Sequence, residues 1–163
     1  MKEPNHFDPA SNPEINQKLI AHTFSAIPHT NALGVEFVTI EKNKAIGRLP
    51  YKGSLVGNIE NGALHTGVLI SLFDTIAGLA VFSALPAVEA FATLDLRLDN
   101  FKPSIPGRDI FAQAECHNIT KTIAYVKGSI YHDNPDDPIA GCVATFFRTG
   151  KRVEIQKNGD QWP

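Results

Sequence analysis

Cysteine is scarce in this chain: its 163 residues hold only Cys116 and Cys142, both inside apolar, strand-like segments where a free thiol serves as a small core side chain. Two cysteines so placed build neither a disulfide framework nor a metal-ligand spacing, so no metal site is expected. A surplus of positive charge is missing too. Fifteen Lys and Arg stand against 17 Asp and Glu, and the basic residues are scattered, so neither a nucleic-acid backbone nor an anionic membrane finds its electrostatic footprint here. There is no Gly-x-Ser-x-Gly elbow, no phosphate-binding Gly-Lys loop and no dinucleotide fingerprint, which argues against serine hydrolases, nucleotide hydrolases and dehydrogenases. Internal repeats and low-complexity segments are absent. Residues 1–13, MKEPNHFDPASNP, lack the apolar stretch of a signal peptide, and Asp74 interrupts the one long apolar run short of a membrane span. The expected setting is a reducing cytoplasm, with no nucleic acid and no membrane among the partners.

What the chain does have is enough apolar material, 43% of its residues, for one well-formed core. Residues 1–11 are polar and aperiodic, an expected loose arm. Asn12-Pro13-Glu14 reads as a helix start, and Ile15, Leu19, Ile20, Phe24 and Ile27 follow at helical spacing as far as Pro28. Val35 to Ile40 and Lys44 to Leu49 form a hairpin pattern, and Pro50 to Leu64 reads as a loop. Val68 to Leu85, VLISLFDTIAGLAVFSAL, is apolar at nearly every angular position, which predicts a helix buried all round. Leu94, Leu96 and Leu98 then alternate with Thr93, Asp95, Arg97 and Asp99, a strand with one apolar and one polar face. Three more strands are expected over Asp109 to Ile119, Thr122 to His132 and Ile139 to Arg148. The order implies an α+β domain over 12–148, a long central helix wrapped by an antiparallel sheet, with a polar tail over 149–163.

Within that frame Asp74 is the first chemical suspect. A buried ionised carboxylate costs several kcal/mol, whereas a buried Leu there would contribute about 1.5–3 kcal/mol of stability. The acid could act as nucleophile or as general base toward water, or be a structural acid held by a hydroxyl or by Arg97. His65-Thr66-Gly67 stands at the helix start, where the N–H groups of Thr66, Gly67 and Val68 lack intrahelical acceptors and could receive an oxyanion; plain capping is the alternative. Asn58 and Asn61 could orient a carbonyl or a water, or only make turns. Thr93 could bond a water, or be a good strand former. His132, Asp133, Asp136 and Asp137 look like a ligand cluster but fall in a proline-bearing turn, which predicts a solvated loop. Asn118-Ile119-Thr120 matches a glycosylation acceptor without any sign of secretion.

These residues together resemble the hotdog-fold acyl-CoA thioesterases of the phenylacetate-pathway (PaaI-like) type. The resemblance rests on Leu55-Val56-Gly57-Asn58, on Asn61-Gly62-Ala63-Leu64-His65-Thr66-Gly67-Val68 and on Leu72-Phe73-Asp74. Ala92-Thr93-Leu94-Asp95-Leu96-Arg97, Phe101-Lys102-Pro103, Ile139-Ala140 and Ala144-Thr145-Phe146 extend it over roughly Val35 to Arg148. It implies a hotdog fold, a homodimer or a dimer-of-dimers tetramer with sites at the subunit interface, and hydrolysis of an acyl-CoA thioester without a cofactor beyond the coenzyme A of the substrate. It further implies Asp74 as the catalytic acid, Thr66 or Gly67 as the oxyanion donor, His65 as the residue shaping the helix start, and Thr93, supplied by the partner subunit, as an aid to water. Asn118, Lys121 and Thr122 match the region that touches the pantetheine and nucleotide. One departure stands out: the family pattern is His-Gly-Gly, and Thr66 puts a side chain where glycine lets a carbonyl approach the backbone. A non-catalytic acyl-CoA-binding or regulatory module is therefore the second reading, and a hotdog hydratase or dehydratase the third.

Overall fold

The computed structural model describes residues 24–86 and 89–152. The expected arm, all but the last residues of the helix expected from Asn12 to Pro28, and the end of the tail lie outside the described residues. Of that helix's described residues, Phe24 is buried edge-on against Phe37 and Phe82, and Ile27 packs on the core.

Pro28 starts a helix instead of ending one. Its fixed φ suits the first helical position, so α1 runs Pro28–Leu33, and Gly34, at φ 78°, closes it in the left-handed region. Strands β1 (Glu36–Glu41) and β2 (Lys44–Leu49) form the expected hairpin. The segment expected as a loop carries a 3-10 turn, Gly53–Leu55, and a small ribbon of β3 (Val56–Asn58) and β4 (Ala63–Leu64). Then come helix α2 (Thr66–Ala84) and strands β5 (Glu89–Asn100), β6 (Ile110–Ile119), β7 (Ile123–Tyr131) and β8 (Ala140–Arg152). The main sheet is antiparallel throughout, in the order β1-β2-β6-β7-β8-β5, and curves around α2. This is the hotdog fold.

The helix sits close because the sheet face beneath it is lined with small residues. Ala45, Ala112, Ala114, Ala124, Ala140, Ala144, Cys116 and Cys142 are all buried there, against Leu72, Phe73, Ile76 and Leu79 of α2, which are fully buried. Each large side chain so enclosed contributes about 1.5–3 kcal/mol. Both cysteines are free, and burial pushes their thiols up to about 11 and about 12 respectively, as inert core residues require.

Two expectations need correction. By length and composition α2 would suffice to cross a bilayer, because one Asp does not offset so many apolar neighbours, but here most of it is packed inside the sheet. Nor is it buried all round: Phe73 and the run from Ile76 to Phe82 are enclosed, while Thr66, Ile70, Ser71, Asp74 and Thr75 form an uncovered stripe at i, i+4 spacing. The single sheet covers only one side of the first turns.

A Cβ at Gly128 of β7 would lie 2.0 Å from the Gln113 carbonyl oxygen and 2.6 Å from the Phe73 ring. Gly128→Ala should therefore cost about 1–3 kcal/mol or more by overpacking, read as a lower midpoint in thermal or urea denaturation.

Candidate active site

The start of α2 is built by the ribbon before it. His65 is the N-cap, and its Nδ1 accepts from the Gly67 N–H at 2.9 Å, which places the ring proton on Nε2. The Val68 N–H reaches the His65 carbonyl at 2.9 Å. Of the three donors expected to point outward, two are thus engaged within the cap. The Thr66 N–H is the one left at the helix mouth, with no intrahelical acceptor behind it. The Thr66 side chain is exposed beside it.

Asp74 lies on the uncovered stripe, half-buried instead of enclosed. Its Oδ1 accepts from the Thr93 Oγ1 at 2.8 Å. Both residues belong to one chain, so Thr93 reaches this acid without crossing an interface. A β-bulge between Thr93 and Asp95 makes this possible: strict alternation would send Thr93 outward with Asp95 and Arg97, but the extra residue turns Thr93 to the helix side and leaves Leu94 58% exposed. Arg97 pairs with Asp99, not with Asp74. The second carboxylate oxygen of Asp74 therefore has no donor among the described residues.

Asn58 and Asn61 act first as turn residues. The Asn58 Oδ1 accepts from the Glu60 N–H and the Asn61 Oδ1 from the Ala63 N–H, each at 3.0 Å. The Asn58 amide nitrogen is not spent in that turn. Asn118, Lys121 and Thr122 are exposed around the β6–β7 turn, which Thr120 closes through Ile123 and Arg148 steadies through the Thr120 carbonyl. Ala124 and Thr93 both pair with Phe146, from opposite sides. The turn is thus about 10 Å, two strand spacings, across the sheet from the Thr93–Asp74 pair. Among the described residues no three His, Cys, Asp or Glu side chains converge to hold a metal ion.

The supports of this site are residues that sequence patterns do not single out. Buried Ser104 accepts the Leu64 N–H at 2.8 Å, just before His65, and the Tyr51 hydroxyl donates to the Gly62 carbonyl at 3.0 Å. The Asp109 carboxylate takes the Tyr51 N–H at 2.8 Å and two bonds from Arg48 at 3.0 and 2.6 Å. The Tyr51 N–H first, and Arg48 beside it, hold the Asp109 carboxyl below the usual carboxylate range. His132 is not in a solvated loop as expected but 7% exposed, because its ring fills the space between Ile105 and Asp109.

The thioesterase superfamily model matches residues 61–139. A putative esterase of Halobacterium salinarum is 32% identical over 101 residues, 60% of this chain and 66% of that one. The chain spans from about half to just under two thirds of the length of the curated relatives it matches. A Pseudomonas aeruginosa protein of known crystal structure is 34% identical with a TM-score of 0.73, over 81% of this chain and 98% of that one. The PaaI protein of the E. coli phenylacetic acid degradation operon superposes with a TM-score of 0.73 at 20% identity, over 84% and 96% of the two chains. A Streptococcus mutans protein solved with acetyl CoA superposes with a TM-score of 0.65 at 23% identity, over 74% and 92%.

Two predictions follow from the supports. A folded-state carboxyl held low stabilises above its unfolded value and loses that contribution as pH falls through the folded one. Asp109→Asn should therefore melt below the parent at neutral pH, and the gap should close as pH drops below about 4. A Cβ at Gly57 would meet the His65 Cα at 2.6 Å. Gly57→Ala should cost about 1–3 kcal/mol in denaturation and speed amide exchange at Gly67, whose bond to the His65 ring it displaces.

Proposed function

Since the chain belongs to the thioesterase superfamily, we propose that it is an acyl-CoA thioesterase, hydrolysing a short, medium or aryl acyl-CoA in a reducing cytoplasm. The observation that carries this reading is the Asp74 carboxylate: one oxygen is fixed by Thr93, the other is open, and the acid stands on the uncovered stripe below the helix mouth. The S. mutans protein, with acetyl CoA bound on the same fold, supports the ligand class.

In the proposed reaction the thioester carbonyl oxygen rests against the Thr66 N–H at the positive end of the helix dipole. The open Asp74 oxygen takes a proton from water, and the water oxygen adds to the carbonyl carbon. The C–S bond then breaks, the sulfur leaves as thiolate and takes up the proton, and the free acid and the CoA thiol depart. The Asn58 amide helps to orient the carbonyl, and His65 keeps the Gly67 N–H within the cap so that Thr66 is the donor presented. Asn118, Lys121 and Thr122 hold the pantetheine and nucleotide. No metal or bound cofactor takes part.

Geometry also favours a site shared between copies. Thr66 and Asp74 lie about 12 Å apart along the helix axis, more than a single carbonyl held at one and attacked directly from the other can bridge. A second copy supplies the missing half. Among the described residues strand β5 ends the sheet, is 12 residues long, and presents backbone groups with no strand beside them, together with the exposed Leu94. Pairing β5 to β5 makes a homodimer in which the mouth of one α2 faces Asp74 of the other.

The test is thiol release from a panel of short, aryl and long acyl-CoAs. The parent should release thiol, and Asp74→Asn should lose about 10²–10⁴-fold in kcat/KM while keeping its melting temperature. A folded parent that binds CoA and releases no thiol from any of the panel would make the chain a binding module, the reading that the exposed Thr66 side chain favours.

A further inference from the structure

The helix mouth is held by a clasp that the reaction does not use, and its hub is His132. The ring Nε2 accepts the Ile105 N–H at 3.0 Å, and Nδ1 lies 2.7 Å from the Asp109 carbonyl oxygen. A carbonyl only accepts, so Nδ1 carries the proton and the ring is the neutral Nδ1–H tautomer. Both partners lead to the site. Ser104, next to Ile105, holds the Leu64 N–H just before His65. Asp109 holds Tyr51, whose hydroxyl holds Gly62 at the other side of the ribbon. One imidazole therefore ties together the two supports of the segment that delivers the chain to α2.

We propose that His132 is a positioning residue that makes the helix mouth pH-sensitive: a second ring proton releases Ile105 and Ser104, and with them the ribbon before His65. The proton would sit on Nε2, turning an acceptor into a donor that faces another N–H, so the Ile105 bond is lost. A cleft of about 220 Å³, with His132 in its lining, gives water a route to the ring. The charged groups around it are already committed. From the segment before β6, Lys102 and Arg108 pair with Asp137 and Asp133 of the loop between β7 and β8, and Asp109 pairs with Arg48 of β2. The Asp109 carboxylate attracts an imidazolium here through space, but its oxygens are bonded to Arg48 and the Tyr51 N–H, so it makes no hydrogen bond to the ring in place of the lost one.

For catalysis the proposal rests on the thioesterase reading, so the experiment has one arm that does not. Amide-exchange protection factors, which remove the chemistry's own pH dependence, are followed from about pH 8 to about pH 5, the range in which imidazoles change charge. In the parent, protection at Ile105 and Leu64 should fall about five- to tenfold, while Val126 in the sheet stays constant. His132→Gln keeps a donor and an acceptor without titrating in this range, and its protection at those amides should be flat. A flat parent, or an equal fall in the Gln variant, overturns the proposal; where the variant does not fold, the parent scan decides alone. In the second arm kcat/KM for thiol release should show an acid limb in the parent that His132→Gln lacks. Exchange as expected with no thiol release would leave the clasp standing and sink the hydrolase. Thiol release with flat exchange would do the reverse.

Discussion

Everything in this structure depends on how closely α2 approaches the sheet. The helix brings Leu72, Phe73, Ile76 and Leu79 to one side, and the sheet answers with alanines, cysteines and two glycines that leave the room. Gly47 leaves space that Ile76 fills, and Gly128 leaves space between the Gln113 backbone and the Phe73 ring. Dense interiors transmit displacement because they have few voids to absorb it. The same contact that stabilises the domain therefore sets the height of Asp74 above β5, and a helix lifted by one methyl group would carry that acid away from Thr93.

Much of this was legible in the residues. The lone acid in an apolar helix, the His-Thr-Gly start and the succession of strands point to the fold and to the family. The run from Val68 to Leu85 misled on one point: composition reports how apolar a helix is, and not how many sides of it one chain can cover. A single sheet encloses one side, so the stripe through Ile70 and Asp74 stays open, with Ile70 41% exposed.

What was not legible depends on single added residues and on distant polar partners. Period-two reading of β5 put Thr93 on the polar face, because alternation assumes an unbroken ladder. The bulge beside it reverses the parity over a short stretch, and that reversal is what joins Thr93 to Asp74. His132 failed differently. Its neighbours in sequence are Asp133 and Asn134 of an exposed loop, but its partners are Ile105 and Asp109, at the start of another strand. Such a bond has no spacing to betray it, and neither does the one between Ser104 and Leu64.

The open stripe also constrains any partner that covers it. Ile70 and Leu94 gain by leaving water, each by up to about 1.5–3 kcal/mol if fully enclosed. Asp74 does not gain: one oxygen is satisfied by Thr93, and stripping water from the other with no donor in exchange costs more than a neighbouring leucine returns. A second copy that closes over the apolar residues is therefore driven to leave a wet gap at Asp74. Such an interface would be favourable elsewhere and unfavourable at that acid, and the gap it left would keep water beside the open carboxylate oxygen.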